Sequence, residues 1–522
     1  MSFRLTYATM FNPPEELHER FEKALAAVRG RLGATHPMFI DGKDRPAAAT
    51  EERASPIDME LKLGRFPLAN ETEADAALAA ADRAFPSWRA TPMAERVRLM
   101  RMVADVMEGR VYEIAAALVL EVGKNRMEAL GEAQETVDFF RVYADDFESH
   151  NGYEFELPND PLAGFTSRNR SVMRPYGVWC VIAPFNFPIA LAGGPVAAAL
   201  VTGNTVVVKC ASDTPWAGRL LADCIRDAGL PPGVFNYVSG AGSAVGEQLV
   251  RDPRTAGVTF TGSVAVGRAI MAAMAGGAYP RPCITEMGGK NPCIVTENAD
   301  LARAAAGVAR SAFGMGGQKC SALSRLYVHE KVADELLARV DDQIDAIRIG
   351  DPALRTTSLG PVVNQRAYDS YARYVADLRG GNATLRRGGK QLTDGVFARG
   401  YYVEPMLVEA PAGLSLWKHE MFLPILMAQR YRDRADAMRL ANDTEMGLTA
   451  GFYGSPDEVC WFQDGIQAGV TYANRGQGAT TGAWPGYQPF GGWKGSGSSG
   501  KAIASFYYLP LYLREQSRTV VE

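Results

Sequence analysis

Residues 175–209 read PYGVWCVIAPFNFPIALAGGPVAAALVTGNTVVVK, with no charged side chain until Lys209. A membrane span needs about 20 consecutive apolar residues. Pro184, Pro188, Pro195, Gly193, Gly194 and Gly203 interrupt this run, and Asn186 and Asn204 would carry amides into lipid. A buried strand, loop, helix and second strand fit it better, because a parallel sheet covered on both faces needs uncharged, β-branched strands. The first strand is expected within 168–182 and the second at 205–209. Helix is then expected at 217–228, 244–250 and 266–274, and strand at 234–238, 257–261 and 282–285. That alternation predicts an α/β fold with a parallel sheet and helices on its faces.

The flanks extend the pattern. Residues 14–32 read as an amphipathic helix, and Met38-Phe-Ile40 as a strand entering an Asp41-Gly42 turn. Residues 71–150 are rich in Ala, Leu, Glu and Arg with apolar positions three and four apart, which predicts several helices. A second α/β run starts near 292–295 and continues past Gly451. The last β-like stretch is 507–521.

Composition excludes several classes. The chain has 522 residues, 47% hydrophobic and 22% charged, with a net charge of −4. That balance carries no electrostatic footprint for nucleic acid or an anionic membrane surface. Seven Cys without a C-x-x-C pair do not make a disulfide framework, and five His without H-E-x-x-H do not signal zinc. The acidic segment 14–24 speaks against a secretory or organellar leader. A cytoplasmic protein with reduced thiols is expected.

Three glycine loops compete for a phosphate-binding role. Gly495-Ser-Gly-Ser-Ser-Gly500 fits G-x-G-x-x-G, but Ala502 stands where a P-loop needs Ser or Thr and no strong strand precedes it. It reads as a flexible surface turn. Gly240-Ala-Gly242, with Gly246 beyond, and Gly262-Ser263, with Gly267 beyond, each follow a predicted strand and open a helix. There backbone N–H groups and the helix dipole can face a pyrophosphate.

The reactive chemistry falls on three residues. Cys320, in Gly316-Gly-Gln-Lys-Cys-Ser-Ala322, has small and polar neighbours that leave room for a substrate. Its thiol, near ~8.5 when free, needs help to ionise. Glu286 ends a predicted strand beside Gly288 and Gly289 and can serve as a base. Asn186, an amide between Phe185 and Phe187, can donate to a developing oxyanion.

Pro184-Phe-Asn-Phe-Pro188, Phe260-Thr-Gly-Ser263, Glu286-Met-Gly-Gly-Lys290, Gly317-Gln-Lys-Cys320, His419-Glu-Met-Phe-Leu-Pro424 and Pro489-Phe-Gly-Gly492 follow one another in an order that resembles the aldehyde dehydrogenase superfamily over roughly 35–515. The resemblance implies that Cys320 attacks an aldehyde carbon, with the oxyanion held by Asn186 and the Cys320 N–H. The cofactor oxidises the adduct to a thioester, and Glu286 activates the water that releases the acid. It implies NAD as cofactor, with NADP possible, held by Lys209, Ser212, Gly242, Gly262, Ser263, Gly267, Glu420 and Phe422. It also implies a Rossmann-like cofactor domain (1–155 and 175–287), a catalytic domain (288–480) and oligomerisation elements (156–174 and 503–522). The chain would form a homo-oligomer, a dimer or higher. No metal is implied.

Within that superfamily, Leu120-Glu-Val-Gly-Lys-Asn125, Glu135-Thr-Val-Asp-Phe139, Cys320-Ser-Ala322 and Thr481-Gly-Ala483 resemble the 1-pyrroline-5-carboxylate dehydrogenase branch, which oxidises glutamate γ-semialdehyde in proline catabolism. This likeness implies an α-carboxylate anchored by Ser321, Gly482 and Ala483. Phe187 and Phe490 would pack the aliphatic chain, and Glu135 would face the amino end. A carboxylate is well met by two N–H donors and a hydroxyl. The departures are Trp484, Pro485 and Tyr487 in the anchor loop, Phe185 for the commoner Trp, and Cys210 for the usual Pro. The rival substrate is another ω-semialdehyde. A relative that passes the acyl group to coenzyme A is disfavoured by Glu286. A non-catalytic binding or structural relative is disfavoured by the presence of all three reactive residues.

Overall fold

The computed structural model describes residues 13–161, 164–476 and 484–521. Two seven-stranded sheets organise the chain. The first runs Cys283–Glu286, Thr255–Thr261, Val178–Ile182, Thr205–Lys209, Phe235–Val238, Met38–Ile40, Lys43–Arg45. Its first five strands are parallel and the last two antiparallel. From Val178–Ile182 the chain adds strands in one direction, then returns to place Thr255–Thr261 on the other side. The order therefore reverses beside Val178–Ile182, and open α/β sheets bind ligands at the carboxyl ends of strands at such a point. The second sheet runs Thr384–Arg387, Met406–Glu409, Ile425–Tyr431, Leu323–His329, Asn291–Val295, Thr449–Tyr453, Val470–Ala473, with only the Thr384–Arg387 edge antiparallel.

The uncharged run forms the expected elements: strand Val178–Ile182, helix Ala190–Val201 and strand Thr205–Lys209, all buried but for the partly covered Ile182 and Leu191. Among the described residues no helix is long and apolar enough to cross a membrane. The helical region divides into Glu71–Ala90, Met93–Gly109, Val111–Val122 and Arg126–Ser149. Asn70 and Glu73 form a capping box on the first. Asn125 caps the last, accepting from the Met127 and Glu128 N–H groups at 3.1 and 3.0 Å. Each such cap is worth about 1 kcal/mol. Glu121 is buried and ties two helices together, its carboxylate accepting from the Trp216 and Ala217 N–H groups at the start of Pro215–Asp227. Burial pushes its pKa up to about 8.

Three expectations are corrected. The Gly495–Gly500 loop is not a flexible surface turn. It lies along the Cys283–Glu286 strand, with an antiparallel bridge from Gly497 to Glu286, a bond from the Met287 N–H to the Ser496 carbonyl, and Ser496 fully buried. Gly495 and Gly497 serve close backbone approach, to the Glu445 and Gly492 carbonyls. Strand does not begin at 507 either. Leu509–Tyr512 is a 3-10 turn and the strand is Leu513–Val521, because Pro510 lacks an N–H for a ladder. Nor is all of 503–522, expected as an oligomerisation element, exposed for contacts: Ile503, Tyr508, Leu509 and Tyr512 are core residues. Leu513–Val521 pairs in full with Ser167–Pro175, which also pairs Glu154–Leu157, giving a separate antiparallel sheet.

Candidate active site

Asn186 lies in the loop between strand Val178–Ile182 and helix Ala190–Val201, 3% exposed. Its Nδ2 donates to the Gln318 carbonyl at 3.0 Å. A primary amide carries two N–H groups, so this bond fixes its plane and leaves the second for a ligand. Gln318 is itself fixed: its Nε2 donates to the Met315 carbonyl and its Oε1 accepts from the Val363 N–H. The chain reaches Gln318 through left-handed Met315, Gly316 and Gly317. A Cβ on Gly317 would overlap the Leu423 carbonyl, so only Gly fits there.

Cys320 follows. Asn291, which no local pattern singles out, clamps this turn: its Nδ2 donates to the Cys320 carbonyl at 2.7 Å and the Ala322 carbonyl at 2.8 Å, and its Oδ1 accepts from the Thr449 N–H. The Cys320 and Ser321 N–H groups lie beside the Cys320 sulfur and favour its ionised form. Burial, followed by the nearby Glu420 and Glu286 charges, nevertheless pushes the thiol up to about 12. The Cys320 thiol is therefore protonated near neutral pH.

Glu286 ends its strand on the same site, 8% exposed. The Gly492 N–H donates to its carboxyl, while Oε2 is buried with no partner. Burial holds it well above the usual carboxylate range. A glutamate tuned upward is the form expected of a general base working near neutral pH.

The remaining predicted residues divide into two ends. At one, Glu420 accepts from the Gly289 N–H at 2.8 Å, and a Cβ on Gly288 would overlap its carboxylate. Burial raises Glu420 to about 7, opposed by Lys290. Phe422 has φ 57° and meets Phe185 edge-on at 5.7 Å. At the other end a cavity of about 530 Å³ is lined by Ile182, Lys209, Gly242, Gly246, Val250 and Ile270, among others. Cβ atoms on Gly242 and Gly246 would meet nothing within 4 Å, so both glycines face open space. Ser263 stands before helix Val264–Ala275 and makes no capping hydrogen bond, leaving a helix N-terminus open to an anion. An apolar slot, a buried Lys209 and an uncapped helix start fit an adenine dinucleotide. Ser212 donates to the Gly240 carbonyl at 3.2 Å. Gly267 is not a pocket residue: it is buried against Met287, where a Cβ would strike the Met287 sulfur, so it serves helix–sheet packing. Gly262 likewise packs on Phe260, its N–H bonded to the Glu286 carbonyl.

Of the substrate residues, Phe187, Phe490 and Cys320 border one apolar cluster. Ser321 is buried next to Cys320. Glu135 is 8% exposed on helix Arg126–Ser149, pushed far above the usual range by burial and then by the Glu132 charge. Gly482 and Ala483 lie outside the described residues.

A thiol, an oriented amide and a raised carboxyl converging beside a dinucleotide slot define a covalent oxidoreductase of carbonyl compounds. Residues 45–515 match the aldehyde dehydrogenase family, and the chain belongs to it. It is 36% identical over 518 residues to a 1-pyrroline-5-carboxylate dehydrogenase of Geobacillus sp. (strain WCH70), covering 97% of each chain. It is also 36% identical over 510 residues to 1-pyrroline-5-carboxylate dehydrogenase 2 of Bacillus subtilis (strain 168), covering 97% of this chain and 96% of that one. Among solved structures it superposes with a TM-score of 0.92 on 1-pyrroline-5-carboxylate dehydrogenase from Thermus with bound NAD, at 34% identity over 100% of this chain and 99% of that one.

Ser212 stands where the family often has a Glu that repels a 2′-phosphate. NAD is expected to be the main cofactor with measurable NADP use. The ratio of kcat/KM for the two cofactors checks this: a preference beyond about a thousandfold, ~4 kcal/mol, would mean that Asp213 has taken over the repulsion.

Proposed function

We propose that the chain oxidises L-glutamate γ-semialdehyde, the open form of 1-pyrroline-5-carboxylate, to L-glutamate with NAD. The observation that carries this reading is the end-to-end similarity to relatives named for that activity, with Cys320, Glu286 and Asn186 converging on one site. Cys320 gives its proton to solvent and its sulfur adds to the aldehyde carbon. The second Asn186 N–H and the Cys320 N–H meet the oxygen as it gains charge. Bound NAD supplies the acceptor for the hydride that leaves that carbon. Cys320 then carries the acyl group as a thioester. Glu286 takes a proton from water, which adds to the thioester carbon and expels the thiolate. Lys209 and Ser263 would hold the adenosine and phosphate end, and Glu420 and Phe422 the nicotinamide end.

Ser321 and the loop beyond Thr481 would bind the α-carboxylate, and Glu135 the ammonium. A buried carboxylate with no hydrogen bond among the described residues suits an arriving cation. Ser321→Ala should raise KM for glutamate γ-semialdehyde by about 10- to 100-fold, one charge-assisted hydrogen bond, and leave hexanal nearly unchanged. Equal losses on both substrates, or a wild-type preference for hexanal, would remove the glutamate semialdehyde assignment and keep the aldehyde oxidation. The antiparallel sheet ending in Leu513–Val521, with exposed Val520 and Val521, supports assembly into a homo-oligomer. All seven cysteines are free, which supports a reducing, cytoplasmic setting.

A further inference from the structure

Lys124 and Glu132 form an ion pair at 2.6 Å with both side chains wholly buried. Such a pair is costly unless further hydrogen bonds satisfy the charges. Here they satisfy the Glu132 side, and their placement is specific. Glu132 Oε2 takes the Lys124 ammonium, while Oε1 accepts from the Ile189 and Ala190 N–H groups at 3.0 and 3.2 Å. Those amides open helix Ala190–Val201, whose own N-cap, Ile189, has no side-chain acceptor. Glu132 supplies the missing cap from another helix, with a charge that suits the helix dipole. Asn186 and Phe187 lie immediately upstream. The Lys124 ammonium sits 3.6 Å from the centre of the Phe187 ring, a cation–π contact. The supporting packing leaves little slack: a Cβ on Gly193 in the capped helix would strike Thr136, one turn from Glu132.

We infer that the buried Lys124–Glu132 pair is a positioning device for the oxyanion donor. It fixes the segment Asn186–Ala190 from behind, as Gln318 fixes the Asn186 amide from the front. Lys124 sets the Phe187 ring and Glu132 sets the backbone, so Asn186 is aligned on the Cys320 adduct before substrate arrives. Both are positioning residues that act through Asn186 and Phe187. The inference rests on the oxyanion role proposed for Asn186.

Two double variants separate the cap from the charge. Lys124→Met with Glu132→Gln keeps an oxygen for the two amides and buries no lone charge. Lys124→Met with Glu132→Ala removes the oxygen. The readouts are the amplitude and the rate constant of the first-turnover burst of reduced NAD, with KM for NAD and the melting temperature alongside. The capless variant should show a burst about 30- to 100-fold slower at full amplitude, on hexanal and glutamate γ-semialdehyde alike, with KM for NAD within about twofold. The Gln variant should stay within about fivefold of wild type, because its cap survives. If the capless variant does not fold, Glu132→Ser in its place lets water meet the amides without fixing them, and the same slowing is expected. A normal burst rate with only amplitude or melting temperature reduced would overturn the inference and leave a merely structural pair. Asn186→Ala is run in parallel. If it bursts at the wild-type rate, the oxyanion assignment falls and takes the inference with it. If it is slow while the capless variant is normal, only the inference falls.

Discussion

Cys320→Ser is expected to lower aldehyde oxidation by about 10⁴-fold or more while NAD binding, read by fluorescence titration, stays within about twofold. The protein environment already opposes ionisation of the thiol: burial and the Glu420 and Glu286 charges push it up to about 12. What makes sulfur workable is its intrinsic acidity, near ~8.5 when free, and the two N–H groups aimed at it. A hydroxyl in the same place begins several units higher and meets the same burial. The pocket of about 530 Å³ that fits the adenosine end lies around Lys209 and Gly242 and does not include residue 320, so cofactor binding is insulated from the change. Retained oxidation in this variant would remove the covalent route.

Glu286→Gln should divide the reaction in two. The first turnover should still release a burst of reduced NAD, and steady turnover should then fall by about 10²- to 10³-fold, the usual reach of a general base. Gln keeps an acceptor for the Gly492 N–H that holds the wild-type carboxyl, so the side chain stays placed. Loss of burst and turnover together would mean that Glu286 is needed to activate the thiol. The pH dependence follows from the direction of the shift. The Glu286 carboxyl is held above the usual carboxylate range, so it is protonated and idle at low pH and becomes a base as pH rises. Wild-type steady turnover should climb with pH above the usual carboxylate range, as Glu286 loses its proton. The Gln variant should lose that limb.

The α/β block around 175–287 was legible because its signals are local. An uncharged run punctuated by Pro and Gly, followed by strands and helices in strict alternation, admits few other folds. The reactive trio was legible for a different reason: Cys320, Glu286 and Asn186 each stand among glycines or aromatics, where a chemical side chain is out of place. Their mutual approach was supplied by family resemblance and not by periodicity. Where the sequence reading failed, the missing information was long-range. Nothing local to Gly495–Gly500 says that it will run along the Cys283–Glu286 strand, so its glycines resembled an open loop. Gly267 sits at the spacing of a phosphate loop, but its contact is the Met287 sulfur, on a strand end twenty residues away. Pro510 was a local signal against strand at 507–512, outweighed by the surrounding β-prone tyrosines. The supporting residues were least visible. Asn291 looks like a turn residue and Gln318 like a surface amide, yet each holds the catalytic loop through backbone carbonyls. Lys124 and Glu132 were readable only as two ordinary charges beside helix starts, because burial is not a property of either residue alone.

In the proposed reaction the acyl group of glutamate γ-semialdehyde passes through Cys320. Mass spectrometry of the Glu286→Gln protein tests it, after brief mixing with NAD and the semialdehyde, acid quenching and digestion. A glutamyl adduct is expected on the peptide that carries Cys320, formed only with both NAD and aldehyde present and absent from the double variant that also carries Cys320→Ser. An unmodified Cys320 peptide after a full burst of reduced NAD, or an adduct on another residue, would contradict it.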